Sequence, residues 1–328
     1  MGMQQMRHRP GGTGWIRRWG GGQPAAHAAM AAAVALWGVS FLVIKVTVSE
    51  VPPVTMAAIR FLMASLLLSV LLRRMEPGAK VERPDRRRMA LAGLLGITVY
   101  FYCENKGMTL TTASNAALIT AIIPILATGL DLALNRTRLS PVRSAGLLLA
   151  AAGTFLALTA GGQLASAPGH LLGNLFIACA MTAWVFYTLL NKALGSRYSG
   201  LLMTASQTRW GTLFLLPAAL AEYRQWGMFS AGAWVNMAFL AVCCSAGCYF
   251  LYLYALQRLD VTVTTMYLNL VPVVGVVCGW LALGETVHPV QLAGGVLILA
   301  AIGIVQRSGR EPAAGEEAGG GQGRPHTG

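Results

Sequence analysis

Charge is what this sequence has least of. Of its 328 residues only 11% are charged, and only 12 are acids, whereas a soluble domain carries about 25%. With 55% hydrophobic residues and a mean hydropathy of +0.57, too few polar side chains remain to cover a water-facing surface. A soluble enzyme of this length is excluded. Catalytic and nucleotide signatures are missing as well. There is no GxxxxGK, so no ATP-driven pump is visible, and there is no HExxH or GxSxG. The five histidines (His8, His27, His170, His288 and His326) are scattered over tails and helix ends, so no metal cluster can be drawn from them and no cofactor is called for. No CxxC occurs. Cys103, Cys179, Cys243, Cys244, Cys248 and Cys278 all fall in apolar stretches, where they read as small buried hydrophobes rather than a disulfide frame or zinc site. A secretory signal is also wanting, because the first 26 residues are polar, Gly-rich and basic with no apolar core.

Apolar runs are what the chain has instead. Ten can be drawn, at 28–48, 53–72, 89–108, 112–134, 141–160, 170–190, 201–220, 233–255, 261–283 and 288–306. Each approaches the ~20 residues that a helix needs to cross ~30 Å of hydrocarbon. In lipid every backbone group must find its partner within the protein, so helices are the default. The expectation is an all-α integral membrane protein of ten transmembrane helices, with antiparallel neighbours joined by short loops. Residues 1–26 read as a disordered basic arm and 308–328, rich in Gly, Pro, Ala and Glu, as a disordered tail.

The net charge of +13 follows from topology. With the N-terminus inside, the inner segments hold 20 of the Lys and Arg residues and the outer loops only Lys106 and Arg224. That asymmetry predicts both termini in the cytoplasm and accounts for the basic excess without nucleic acid. The remaining three, Lys45, Arg60 and Arg209, fall within spans.

The two halves resemble each other. Trp37 precedes Lys45 by eight residues and Trp184 precedes Lys192 by eight, 147 positions later. Pro124 aligns with Pro272, Pro141 with Pro289 and Gly146 with Gly294 at a spacing of 148. Each half, 28–160 and 170–306, holds five spans. Five is odd, so the second copy enters the membrane upside down. Inverted repeats place a binding site near the midplane, at the repeat interface, and permit alternating access by rocking.

Several runs carry a family likeness. Trp37-Gly38-x-Ser40-Phe41-x3-Lys45, then Arg60-Phe61-Leu62, resembles the opening of an EamA-type member of the drug/metabolite transporter superfamily. So do Glu104-Asn105 with Thr112 to Ile119, and Leu283-Gly284-Glu285 with Gln291-x2-Gly294. The resemblance covers about residues 28–307. It departs at Asn135-Arg136-Thr137, which lacks the glutamate of the second half. The resemblance implies a ten-helix secondary carrier of the inner membrane, often an exporter of amino acids, other metabolites or drugs, with a small molecule and the bilayer as its partners. The alternative on such a helical scaffold is a membrane-embedded enzyme or lipid-handling protein, which would need a reactive constellation that the sequence does not display.

Candidate residues follow from the cost of charge in a span, about 2.5–3.5 kcal/mol on insertion scales. Lys45, Arg60 and Glu104 are expected at similar depths. Either they form an outer gate or bind a charged group of the cargo, or Lys45 snorkels to the interface and Glu104 caps a helix end. Tyr100, one turn before Glu104, joins this set. Glu104 is the one acid offered for proton coupling. Arg209 is expected roughly 12 Å into its span, with Gln207, Tyr254 or a cargo carboxylate as partner. Lys192 is expected to snorkel, and Asp131 and Asp260 to stabilise loops. Trp37, Phe41 and Lys45 share a helix face, as do Trp184, Thr188 and Lys192; these faces line a cavity or pack between helices. Tyr249 and Tyr252, at i and i+3, can face inward together. Asn115 and Asn269 lie near the kinking prolines, Pro124 and Pro272, and either serve the cavity or join helices by hydrogen bonds. Gly275 and Gly279 form a GxxxG that fits close contact within the chain or between two copies.

Overall fold

A computed structural model describes residues 22–120, 141–159, 168–194, 197–256, 270–284 and 286–308, with residues 122, 123, 126 and 267 besides. All regular structure among them is helical. α1 (Gln23–Thr47) and α2 (Pro53–Met75) come first. α3 (Arg86–Gly93) runs through a π-helical stretch (Leu94–Val99) into α4 (Tyr100–Leu110), and α5 (Ala113–Thr120) and α6 (Pro141–Thr159) complete the first half. The second half holds α7 (Pro168–Leu194) and α8 (Gly200–Leu220). α9 (Ala231–Phe239) passes through a π-helical stretch (Leu240–Gly247) into α10 (Cys248–Leu256), and α11 (Val271–Leu283) and α12 (Pro289–Ser308) follow.

Local chemistry sets these boundaries. Proline stands in the first turn of α1 and α2, where its fixed φ suits a helix and its missing N–H is no loss. For α1 that proline is Pro24, which starts the helix at Gln23, ahead of the expected position 28 and inside the stretch read as a polar arm. Ser199 and Ser230 cap α8 and α9 by accepting from the backbone N–H of Leu202 and Ala233. Gly284 ends α11 at φ +64°, a left-handed cap that glycine adopts without strain.

Among the described residues four helical stretches, Gln23–Thr47, Pro53–Met75, Gly169–Tyr187 and Ala231–Tyr252, are long and apolar enough to cross a membrane. Large apolar side chains stand on the outside of the bundle, among them Leu66, Leu148, Phe155, Leu175, Leu213 and Val235. Water would penalise such a surface; hydrocarbon does not.

The packing pairs the halves with each other. α2 lies on α8, α5 on α11 and α6 on α12, while α1 against α10 is matched by α7 against α4. The π-helical stretches start 146 residues apart. At the centre, α1, α5 and α11 meet over small residues. A Cβ on Gly38 would lie 2.4 Å from Val274 Cβ, and one on Gly275 would lie 2.4 Å from Ala117 Cβ. The Gly275 end of the GxxxG therefore packs inside the chain.

Candidate functional site

Two buried charges mark the interface of the halves. Arg60 in α2 is 3% exposed, as is Glu104 in α4. Arg60 Nε donates to Ser245 Oγ at 2.9 Å, and its guanidinium lies 4.7 Å from the Phe101 ring centre and 5.2 Å from that of Phe61. Glu104 Oε1 accepts from the Tyr100 hydroxyl at 3.0 Å. Glu104 is within electrostatic reach of Arg60, yet the ion pairs among the described residues are Arg88–Asp85, Lys106–Glu222 and Arg197–Asp85. Arg60 Nη1 and Glu104 Oε2 are buried with no protein hydrogen-bond partner among the described residues. Removing an ion from water costs several kcal/mol even after relaxation. Two cation–π contacts offset part of that for Arg60, at about 0.5–2 kcal/mol each.

Aromatic rings from both halves surround these charges. Tyr100 packs on Trp184 at 5.4 Å, and Trp184 on Tyr187 at 5.1 Å. Trp37 packs on Tyr249 at 6.2 Å and on Tyr252 at 6.0 Å. Trp37 Nε1 donates to the Cys244 carbonyl at 3.1 Å, which ties α1 to the second π-helical stretch. Tyr187 and Tyr249 lie within electrostatic reach of each other. The arrangement can hold an acid group at Arg60, a cation or hydroxyl at Glu104, and a flat or apolar body against the rings.

Of the residues singled out from sequence, Trp37, Arg60, Tyr100, Glu104, Trp184, Tyr249 and Tyr252 come together here. Lys45 Nζ instead donates to the Met108 and Thr111 carbonyls at 2.8 and 2.6 Å, at the C-terminal end of α4 and one turn beyond Glu104. Phe41 is buried in the main apolar core. Asn115 is buried and donates to Thr111 Oγ1 at 3.4 Å. Arg209 stands on the outside of α8 and donates to Ser69 Oγ at 3.2 Å, while Gln207 turns inward and donates to Asn191 Oδ1 at 2.7 Å. The side chains of Thr188, Lys192 and Tyr254, and all of Pro124, Asp131, Asp260, Asn269 and Glu285, lie outside the described residues. Sequence reasoning passed over Tyr187, Ser245, Phe61 and Phe101. Tyr187 was accessible in principle, because it follows Trp184 by three residues and shares its face.

It also passed over a set of acids that bind the halves at both ends of the α2–α8 pair. Glu222, just past α8, accepts at Oε2 from the backbone N–H groups of Val54 (3.0 Å) and Thr55 (2.9 Å) and from Thr55 Oγ1 (3.0 Å). Its Oε1 meets Lys106 Nζ at 3.0 Å. A glutamate from the second half thus caps the N-terminus of α2, where the exposed N–H groups and helix dipole favour negative charge. Glu76, just past α2, ties the other end of the pair: its Oε2 accepts at 2.5 Å from the hydroxyl of Ser199, which is itself the N-cap of α8. Next to each glutamate stands a second tie. Glu50 accepts from Ser230 Oγ at 2.8 Å and from its backbone N–H. Asp85 accepts from the Tyr198 hydroxyl at 2.9 Å and from Arg197 at 3.0 Å. The Tyr198 hydrogen bond first, then Arg197 and Arg88, hold the Asp85 carboxyl below its ordinary 3.8 against the opposing effect of burial. The Ser230 backbone N–H and hydroxyl lower that of Glu50.

With this geometry in hand, comparison with known proteins is specific. Residues 25–159 and 171–307 each match the EamA-like transporter family. The chain belongs to that family. This EamA-like chain is therefore a transmembrane transporter. It is 26% identical over 279 residues to an uncharacterized transporter of Archaeoglobus fulgidus, which covers 84% of this chain and 95% of that one. It is 28% identical over 282 residues to a probable terminal-alkyne amino-acid exporter of Streptantibioticus cattleyicolor, covering 85% and 92%. It is also 27% identical to the uncharacterized inner membrane transporter YedA of Escherichia coli, covering 81% and 86%. A solved crystal structure at 18% identity superposes with a TM-score of 0.62 over 88% of this chain and 99% of that one, which marks a shared fold.

Proposed function

We propose that this transporter is a secondary carrier that exports a small metabolite, an amino acid or a drug-like compound across the inner membrane by alternating access. Its ten spans form two inverted five-helix repeats, with both termini in the cytoplasm. The observation that carries the reading is the pair Arg60 and Glu104. Both are buried at the junction of the halves, each keeps one polar atom without a protein partner among the described residues, and aromatic rings from both halves frame them. A cargo bearing complementary groups would satisfy those atoms, and the rings would hold its apolar body. The relative named as a probable terminal-alkyne amino-acid exporter supports an acid group facing Arg60 and an amine facing Glu104.

The inverted arrangement draws support from the way each half's helices pack on the matching helices of the other and from the reciprocal caps. Glu222 and Glu76 each close one end of the α2–α8 pair, at opposite faces. Rocking the halves would release one cap while keeping the other, which is what exposure to one side at a time demands. The 20-to-2 distribution of Lys and Arg supports cytoplasmic termini. The energy source is an ion gradient or the cargo's own gradient, and Glu104→Gln decides between them. In cells loaded with labelled cargo, a proton-coupled carrier loses its response to external pH with this substitution while still exchanging cargo. If wild-type cells retain every amino acid, nucleobase, sugar and drug tested as long as cells without the protein do, the export reading fails.

A further inference from the structure

One feature outside the central cluster is unused by transport. An open groove of about 570 Å³ lies on the outer face of the α2–α8 pair, lined by Leu66, Leu67, Ser69, Val70, Leu72, Arg73, Ala79 and Arg209. Two cations line it and no acid does. Arg73 and Arg209 are both exposed. Among the described residues Arg209 has one hydrogen-bond partner, the Ser69 hydroxyl, and Arg73 has none. Arg209 lies nine residues past the start of α8, about 13 Å along its axis. It therefore stands at a depth where an exposed guanidinium meets lipid rather than bulk water, and where it needs a counter-charge. Below the arginines the walls are hydrocarbon: Leu62 and Leu66 of α2 are 44% and 63% exposed, and Leu213 of α8 is 53% exposed.

We infer that this groove is a binding site for one anionic phospholipid. Its headgroup phosphate lies between Arg73 and Arg209, and its acyl chains run along Leu66, Leu62 and Leu213. The charges select a net negative headgroup, the guanidinium of Arg209 offers parallel N–H donors that fit phosphate oxygens, and the apolar lower wall selects a lipid over a soluble anion. Because the lipid would bridge α2 and α8, it would brace the pair whose ends carry the reciprocal glutamates. The inference needs only that the chain sits in a bilayer. It does not depend on the export reading, and a lipid count does not register transport.

The test is native mass spectrometry of the full chain released from micelles holding equal amounts of phosphatidylglycerol and phosphatidylcholine with identical acyl chains. Two arginines, at roughly a factor of five each toward an anionic headgroup, predict a retained ratio of about thirtyfold in favour of phosphatidylglycerol. Arg73→Gln with Arg209→Gln brings the ratio to about one. Ser69→Trp, which fills the groove and leaves both charges, does the same, and it reads the site even if the double glutamine variant fails to fold. Arg86→Gln with Arg87→Gln removes the same charge outside the groove and leaves the ratio unchanged. The site is refuted if wild-type protein shows no preference, or if the groove variants keep it. It is equally refuted if the Arg86/Arg87 control abolishes the preference, or if millimolar glycerol phosphate displaces the bound lipid, which would mark an aqueous anion site.

Discussion

Replacing Glu222 by alanine removes an acid that looks incidental in the sequence and holds four contacts in the structure. The substitution strips the N-terminus of α2 of its cap, worth about 1 kcal/mol. It also removes two further contacts to a charged acceptor, nominally about 1.5–3 kcal/mol each. The Thr55 hydroxyl keeps the bond it accepts from Trp226 Nε1 at 2.8 Å, but the indole only donates, so the O–H that Glu222 accepted from must turn to water or a carbonyl. Lys106 keeps a 31% exposed side chain that water can reach, so its share must be discounted for screening. The net expectation is about 3 kcal/mol, or about 150-fold in a two-state equilibrium. Glu76→Ala at the opposite face is expected to cost only about 1 kcal/mol, because Glu76 reaches α8 through the single Ser199 bond. Reversible unfolding in mixed dodecyl sulfate and maltoside micelles measures both. Spin labels at Ser49 and Gly227, exposed positions on the Glu222 face, report opening there. Glu222→Ala should populate a longer distance and Glu76→Ala should not. If Glu222→Ala stays within about 0.5 kcal/mol of wild type, or if both variants open the same face, the reciprocal caps do not hold the two faces shut.

Other consequences are quicker to check. Arg60→Gln should leave the protein folded, as read by its elution as a single species in detergent, but weaken cargo binding by about a hundredfold by calorimetry, the scale of a lost charge-assisted pair. Gly211→Ala should destabilise by about 1–3 kcal/mol in the same micelle titration, since the new Cβ would lie 2.3 Å from Ile97 Cβ and 2.8 Å from the Gly93 carbonyl; Gly227→Ala, with nothing within 4 Å, is the neutral control. The Asp85 tie carries a pH signature. Its folded carboxyl titrates below 3.8, so its contribution is complete above that value and disappears as the pH falls through the lower folded one. Protease cutting between residues 76 and 85 should therefore stay constant across neutral and mildly acid pH and rise only below 3.8, while Asp85→Asn should show the cut at neutral pH.

Much of the fold was legible because the bilayer leaves few choices. Apolar length marks the helices, and the internal repeat falls where the family model matches twice. Trp37, Arg60, Glu104 and Trp184 could be picked out because charges and large rings inside spans demand a reason. The rotation of each helix could not be read. Spans that are apolar on nearly every side give periodicity no direction, so the sequence does not show which way Arg209 faces: the structure turns it outward to Ser69 and turns Gln207 in. Reach along a helix brings Lys45 within range of Glu104 but says nothing about a nearer acceptor, and the Met108 and Thr111 carbonyls at the end of α4 accept from it. Glu76, Glu222 and Asp85 read as ordinary loop acids. Only the packing of the halves, between residues more than 100 positions apart, makes Glu222 a cap of α2 and Glu76 and Asp85 ties to the start of α8.

Counterflow in sealed proteoliposomes tests the central claim most directly. Vesicles loaded with unlabelled cargo and diluted into trace label should accumulate the label transiently above its outside concentration. The overshoot should vanish with Arg60→Gln and survive Arg86→Gln. A pore would equilibrate the label without overshoot. That result from the wild-type protein, or an overshoot unchanged by loss of Arg60, would contradict a carrier that alternates around the Arg60–Glu104 cluster.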